Sequence, residues 1–494
     1  MGVAEQQQHA PERPKRSLLD SSDEDESTAR SPYGDQPSTS SGFAHGGGGG
    51  GDDDLTRAVT SPASCRDAPF AFLFLFTLGM VGLVAGLYGG KKADPQDPVG
   101  KVLLDWTWFV VPILVVPFTI VIGGAYLLLL RVAAMPFIMA NLWTFNVMLW
   151  SLGILAAVAG QIVLCVLLLL FALIDAGWIF SSTRWIKFTA DLMRVTLTAL
   201  QDFPGVYYIA YVFLFLHVVS ILAFATLGMH VYASRHETPD SDAYIAVLFF
   251  LLFSFFWTFE VLRNVTHTTV AGVMGTFYFA GSTDPARLSS NPTLRALGRA
   301  LGPSFGSICF GSLLVAVLST IRVTAALLRE RARRNNNAVL YIVACCCQCL
   351  AGCVEGLLKY FNRYAFVQVA LYGKPYIAAG RDAWDRFTER GLDMLMTDDV
   401  TGTVVVIASL VTALLAWGTT ALSFYLRHDD RWLAVSLLAF CVAFLLARCV
   451  LGVGYSAVTA IFVCYAEWPE ILHERHPDLA AQFADARQDG YNEV

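Results

Sequence analysis

Ten long apolar runs fill most of the chain between Phe70 and Tyr465, and that pattern leaves lipid as the solvent of the folded protein. A hydrocarbon layer of about 30 Å takes roughly 20 apolar residues per helix. The runs at residues 70–88, 106–130, 135–153, 156–178, 206–231, 244–265, 301–327, 338–358, 401–425 and 432–465 all reach about that length. They recur too often for a signal peptide or a single anchor. None alternates polar with apolar residues, and each is about twice as long as a barrel strand, so only helices can satisfy their backbone here. The expected fold class is all-α: a polytopic integral membrane protein of about ten transmembrane helices, its partner the lipid bilayer. Charged residues make up 15% of the chain, against about 25% in soluble domains. With a net charge of −6 and no extended basic face, nucleic acid is set aside as a partner.

Residues 1–67 are polar and repetitive, with glutamines at 6–8, an acidic run at 20–26 and six glycines at 46–51. Such a segment cannot bury enough apolar surface to order itself and reads as a disordered cytosolic tail. Its Ser21 and Ser22 beside acidic residues are either a kinase target or a solvated charge run. The expected organisation is this tail, a transmembrane domain over 68–467, and a cytosolic C-terminal tail over 468–494. With the N-terminus cytosolic, the loops carrying Lys187 and Arg194, then Arg295 and Arg299, then Lys359, Arg363, Lys374 and Arg381 fall inside, as the positive-inside rule requires. Arg329, Arg331, Arg333 and Arg334 disobey it. They face outward if 270–280 stays cytosolic or re-enters; if that short run crosses, 338–358 becomes re-entrant or interfacial. The last run, about 35 residues long, exceeds a bilayer at 1.5 Å per residue, so it either breaks near Gly452 and Gly454 or projects into the cytosol.

Three segments are more specific than hydropathy: GVMGTFYFAG at 272–281, SFGSICFGSLL at 304–314, and YFNRYAFVQVALYGKPYIAAGRDAW at 360–384. Together they resemble the choline transporter-like family. The short first outer loop, roughly 89–105, looks like its fungal pH-nine-sensitive branch. The resemblance implies ten transmembrane helices, cytosolic termini, a plasma-membrane location and transport of choline or a related small organic cation, with no cofactor.

A quaternary ammonium donates no ordinary hydrogen bond, so its site is expected to use aromatic faces beside a carboxylate. Ionisable groups inside apolar runs narrow the search, because a charge at mid-bilayer is costly. Asp175, Glu260, Glu355 and Arg448 qualify. Glu260 leads, with Trp257 one turn before it and Arg263 and Asn264 three and four residues after it; it balances a cation, carries a proton, or pairs with Arg263. Asp175 reads as a snorkelling helix-end residue, Glu355 as an i,i+4 partner of Lys359, and Arg448 as pairing a carboxylate elsewhere or a lipid head group. His217 reads as a satisfied core residue. The glycine-rich segment 272–281 reads as irregular backbone lining a cavity, which makes Tyr278 the leading aromatic candidate. The substrate candidates are therefore Trp257, Glu260, Asn264 and Tyr278. Gly302, Gly306 and Gly311 are candidates for close helix packing or gating, and Asn362 and Tyr364, with Arg363, for a cytosolic cap or an inner gate.

Cys345, Cys346, Cys347, Cys349 and Cys353 lack the polar knuckle and histidines of a structural zinc site. They read as a small-residue packing face or as palmitoylation sites. No metal is expected. His473 and Asp478 have an acyltransferase-like spacing but no surrounding catalytic domain, so no enzyme is expected. No Walker A loop is present. The competing readings are a non-transporting membrane scaffold or regulator, and a channel.

Overall fold

The computed structural model describes residues 65–89, 107–234, 241–280, 291–428, 431–477 and 480–481. The N-terminal tail, most of the first outer loop and Asp478 lie outside them. The secondary structure of the described residues is helical: α1 (Ala68–Tyr88), α2 (Thr107–Val132), α3 (Ala134–Val158), α4 (Ile162–Ser181), α5 (Thr183–Leu200), α6 (Gly205–Ala233), α7 (Ser241–Ala280), α8 (Pro292–Leu301), α9 (Phe305–Arg334), α10 (Ala338–Tyr372), α11 (Tyr376–Tyr425), α12 (Trp432–Glu467) and α13 (Pro469–Arg475). Ten of these are long and apolar enough to cross a membrane, one for each expected run.

The surface confirms which solvent the fold is built for. Along α4, Leu164, Leu167, Phe171 and Ile174 are exposed while Ala172 and Ile179 are buried, the inverse of a soluble helix. Inside, hydroxyls turn back on their own helix: Thr268 and Thr269 donate to Asn264 O and Val265 O at 2.8 and 2.7 Å, and Ser409 to Val405 O at 2.7 Å. α7 and α12 pack against each other at the centre. α6, α8, α9 and α10 surround α7, and α2 and α11 cover α12.

Local signals set the helix ends. The Asn337 side chain caps α10 by accepting from Leu340 N at 3.0 Å. Gly373, at φ 61°, ends the same helix in the left-handed region, and Pro375 leads into α11. Beside this turn Asp67 ties three helix starts together: its Oδ2 accepts from Ser307 Oγ at 2.6 Å and from Tyr376 N at 2.8 Å, while Arg66 N donates to Pro303 O at 3.0 Å.

One expectation of irregular backbone, at 272–281, is overturned, and the alternatives left open at 338–358 and at Gly452 and Gly454 resolve in favour of continuous helices, the last run projecting rather than breaking. Residues 272–280 are not irregular but complete the 40-residue α7. The glycines there serve packing: a Cβ on Gly272 would lie 3.2 Å from Ala296 Cβ of α8, and one on Gly275 would overlap the Leu371 side chain of α10. α10 runs unbroken through 338–358 to Tyr372, so Asn362, Arg363 and Tyr364 lie within a helix rather than capping one. α12 passes Gly452 and Gly454 without a break, Gly454 allowing Leu127 and Leu197 to within 3.0 and 3.1 Å of where a Cβ would stand. Because neither 270–280 nor 338–358 re-enters, ten crossings put Arg329, Arg331, Arg333 and Arg334 on the face opposite the start of α1 and the end of α12.

Three shorter helices, α5, α8 and α13, had no counterpart among the runs. α5 buries Ile186, Ala190, Met193 and Leu197 at helical spacing while Asp191 and Arg194 are exposed, so it is amphipathic. α8 buries Thr293, Ala296 and Ala300 and packs against α7, Ala296 lying beside Gly272 near its C-terminal end.

Candidate functional site

Several of the long helices carry charge near their midpoints. Glu260 stands midway along α7, Arg322 midway along α9, Glu355 midway along α10 and Arg448 midway along α12, with His217 near the middle of α6. They line a common cavity of about 450 Å³.

The two acids are already engaged. Glu355 is buried and accepts from Ser319 Oγ at 2.8 Å; Lys359 Nζ lies 2.6 Å from its Oε1 and Arg322 Nε 2.8 Å from its Oε2. Glu260, also buried, has Arg263 at 2.6 Å and Lys359 at 3.6 Å. The Arg263 contact is an ion pair without hydrogen-bond alignment, since Glu260 Oε2 has no hydrogen-bond partner. Lys359 thus bridges both carboxylates. Below this layer His267 is held between Ser456 Oγ at 2.7 Å and the Arg363 carbonyl at 3.0 Å, joining α7, α10 and α12. The Arg363 guanidinium lies over the Tyr455 ring at 4.1 Å. Phenyl rings of Phe255, Phe256, Phe259 and Phe444 complete the wall.

Of the residues singled out from sequence, Glu260, Asn264, Asn362, Glu355, Arg448 and His217 meet at this cavity. Asn264 Nδ2 donates to Ser312 Oγ at 2.9 Å. Asn362 donates to Gly311 O at 3.0 Å and accepts from Tyr376 Oη. Both ring nitrogens of His217 face backbone carbonyls, Phe213 O at 2.7 Å and Phe259 O at 3.3 Å; a neutral ring donates to only one of them, and the residue also borders the cavity. Of the two expected partners of Arg448, the carboxylate is not found: among the described residues none lies within ion-pair distance of it. Asp175 has a partner rather than snorkelling alone, accepting from Asn146 Nδ2 of α3 at 2.9 Å.

Trp257 and Tyr278 stand away from the cavity. Trp257 is fully buried, donates from Nε1 to Cys309 O at 3.1 Å, and meets Phe74 edge-on. Tyr278, 18 residues beyond Glu260, is about 27 Å further along α7. It is also fully buried, donating to Trp468 O at 2.8 Å. Beside it the His476 ring packs on Phe277, with Nε2 3.1 Å from Phe277 O, so α13 and the residues after it are clasped to the end of α7.

Tyr364 is buried against Tyr360. The glycines are packing positions: a Cβ on Gly306 would overlap the Arg66 and Asp67 backbone, and one on Gly311 would lie 2.5 Å from Tyr376 Cε2. Gly302 ends α8. Cys346, Cys347, Cys349 and Cys353 face outward from α10 rather than forming an internal packing face. Among the described residues His473 has its hydrogen-bond contact within its own helix, at Pro469 O.

Sequence reasoning missed Arg322, Lys359, His267 and Ser456 as site residues. Arg322 carried the same signal as Arg448, a cation within an apolar run. Lys359 is the expected i,i+4 partner of Glu355, but its place at the cavity was hidden because the apolar run ends at Leu358 while the helix does not.

A model of the family described as plasma-membrane choline transporter matches residues 162–470. A CTL-like protein of Dictyostelium discoideum is 30% identical over 324 residues, 65% of this chain and 56% of that protein. Protein PNS1 of Mycosarcoma maydis is 28% identical over 439 residues, covering 84% of this chain and 82% of its own length. Protein PNS1 of Debaryomyces hansenii is 27% identical over 449 residues, covering 84% and 85%. With the family match running from the start of α4 to the start of α13, this multi-pass membrane protein belongs to the choline transporter-like family.

Proposed function

We propose that the protein moves choline or a related small organic cation across the plasma membrane by alternating access, with both termini cytosolic. In this reading residues 68–467 form the transporting domain, and Glu260 and Asn264 take part in binding while Asn362 stands at an inner constriction. The observation that carries it is the cavity of about 450 Å³ near the middles of α6, α7, α9, α10 and α12, with a carboxylate and several phenyl faces in its wall. Midplane cavities between helices are where secondary transporters hold substrate, and an aromatic face is worth about 2 kcal/mol to a desolvated ammonium. The family's description and the charge-bearing midpoints support the same reading.

Radiolabelled choline uptake into liposomes carrying the purified protein tests it. Saturable uptake is expected, with half-saturation raised about tenfold in Phe259→Ala and in Glu260→Gln, a tenfold change being about 1.4 kcal/mol. Wild-type uptake no greater than in empty liposomes would refute transport of choline and favour a scaffold, and single-channel current would favour a channel.

A further inference from the structure

The cavity has more positive than negative charge, and its acids are spoken for. Its described wall carries Arg263, Arg322, Lys359, Arg363 and Arg448 against Glu260 and Glu355. Glu355 is met by Ser319, Arg322 and Lys359, and Glu260 by Arg263 and Lys359. Arg448 has no carboxylate within ion-pair distance among the described residues, although it stands midway along α12 inside an apolar run, where an uncompensated charge is strongly disfavoured. A bare organic cation entering this space would add to the excess. An oxyanion would relieve it, and a guanidinium presents the forked donors that match one. The phenyl faces in the same wall still suit an ammonium.

We propose that the substrate of this site is a small zwitterion, an ammonium or quaternary ammonium joined to a phosphate or carboxylate, whose oxyanion is held by Arg448 and whose ammonium lies against the Phe255, Phe256 and Phe259 side. This rests on the reading of the cavity as the substrate site and replaces a plain cation by one that carries its own anion. The oxyanion completes the charge balance that the protein leaves open, and the aromatic wall orients the other end.

The test uses full-length protein, both in liposomes and in detergent, with phosphocholine and glycine betaine as zwitterions, choline as the cation and inorganic phosphate as the anion alone. Phosphocholine or betaine is expected to compete with labelled choline at concentrations roughly tenfold below the half-saturation of choline itself. The two zwitterions separate phosphate from carboxylate recognition. In Arg448→Gln the effects take opposite signs: zwitterion affinity falls roughly tenfold while choline affinity holds or improves, because one like charge has gone. Arg448→Lys keeps the charge without the fork, so it weakens the zwitterion less and leaves choline unchanged.

Saturable choline uptake that neither zwitterion inhibits would overturn this proposal and keep the transport reading. Equal weakening of choline and zwitterion in Arg448→Gln would overturn it too, marking Arg448 as structural. Zwitterion stabilisation of the detergent-purified wild type against heat, lost in Arg448→Gln, with no solute moving in liposomes, would keep this site and overturn transport. Stabilisation by inorganic phosphate equal to that by phosphocholine would overturn the zwitterion in favour of a simple anion site. A misfolded Arg448→Gln, recognised by aggregation on size exclusion, leaves the decision to Arg448→Lys, whose selective loss of zwitterion affinity supports the proposal and whose uniform loss refutes it.

Discussion

At Gly306 one hydrogen atom decides whether the start of α1 can dock. Any Cβ there would overlap the Arg66 and Asp67 backbone, and backbone cannot swing aside as a side-chain tip can. Gly306→Ala should therefore undo the Asp67 contacts to Ser307 and Tyr376 and lower stability by about 1–3 kcal/mol, as overpacking does. Gly380→Ala, with open space around it, should be neutral or slightly stabilising. Thermal denaturation of the two variants in detergent checks the contrast. The same scale shows what single residues disclosed in advance. Glu260, Glu355 and Arg448 were legible because charge inside an apolar run is costly and therefore informative. Tyr278 was misjudged because a glycine-rich aromatic stretch looks alike whether it bends the backbone or admits a neighbouring helix; the partners that distinguish the two, Ala296 and Leu371, are distant in sequence.

Among the elements, the ten crossings were legible from hydropathy because each must span the same thickness. Their ends were not, since a helix continues past the membrane at no hydropathic signal, as α7, α10 and α12 do. α5 and α8 escaped notice because an amphipathic helix is not an apolar run. The docking of the segment after α12 onto α7 is an element-scale contact with a titratable group inside it. Burial holds His476 below the usual histidine range, opposed by its hydrogen bonds to backbone. Its neutral form is thus favoured when docked, so docking is at full strength above about pH 6.5 and weakens as pH falls through the depressed value. Hydrogen exchange over residues 468–477 should accelerate between pH 7.5 and pH 5.5, about the range of histidine titration. His476→Gln should flatten that dependence. Equal acceleration in the variant, after correction for intrinsic exchange rates, would assign the effect to another group.

For the molecule as a whole, parity sets the topology: ten crossings return the chain to the side it left, and the α9–α10 connection at residues 335–337 lies on the other side. Epitope tags inserted there and at the C-terminus should be accessible from opposite faces of sealed vesicles, despite the arginines flanking the first. Access from one face alone would remove one crossing from the fold. α7 ties the depths of the bilayer together. At 40 residues it is about 60 Å long, with Glu260 at its centre, and no proline interrupts its interior. It can therefore behave as a lever with its fulcrum at the cavity. A tilt of about 10° would carry each tip about 5 Å in opposite directions, so the clasp on Tyr278 and Phe277 grips the lever where a small restraint has its greatest mechanical advantage.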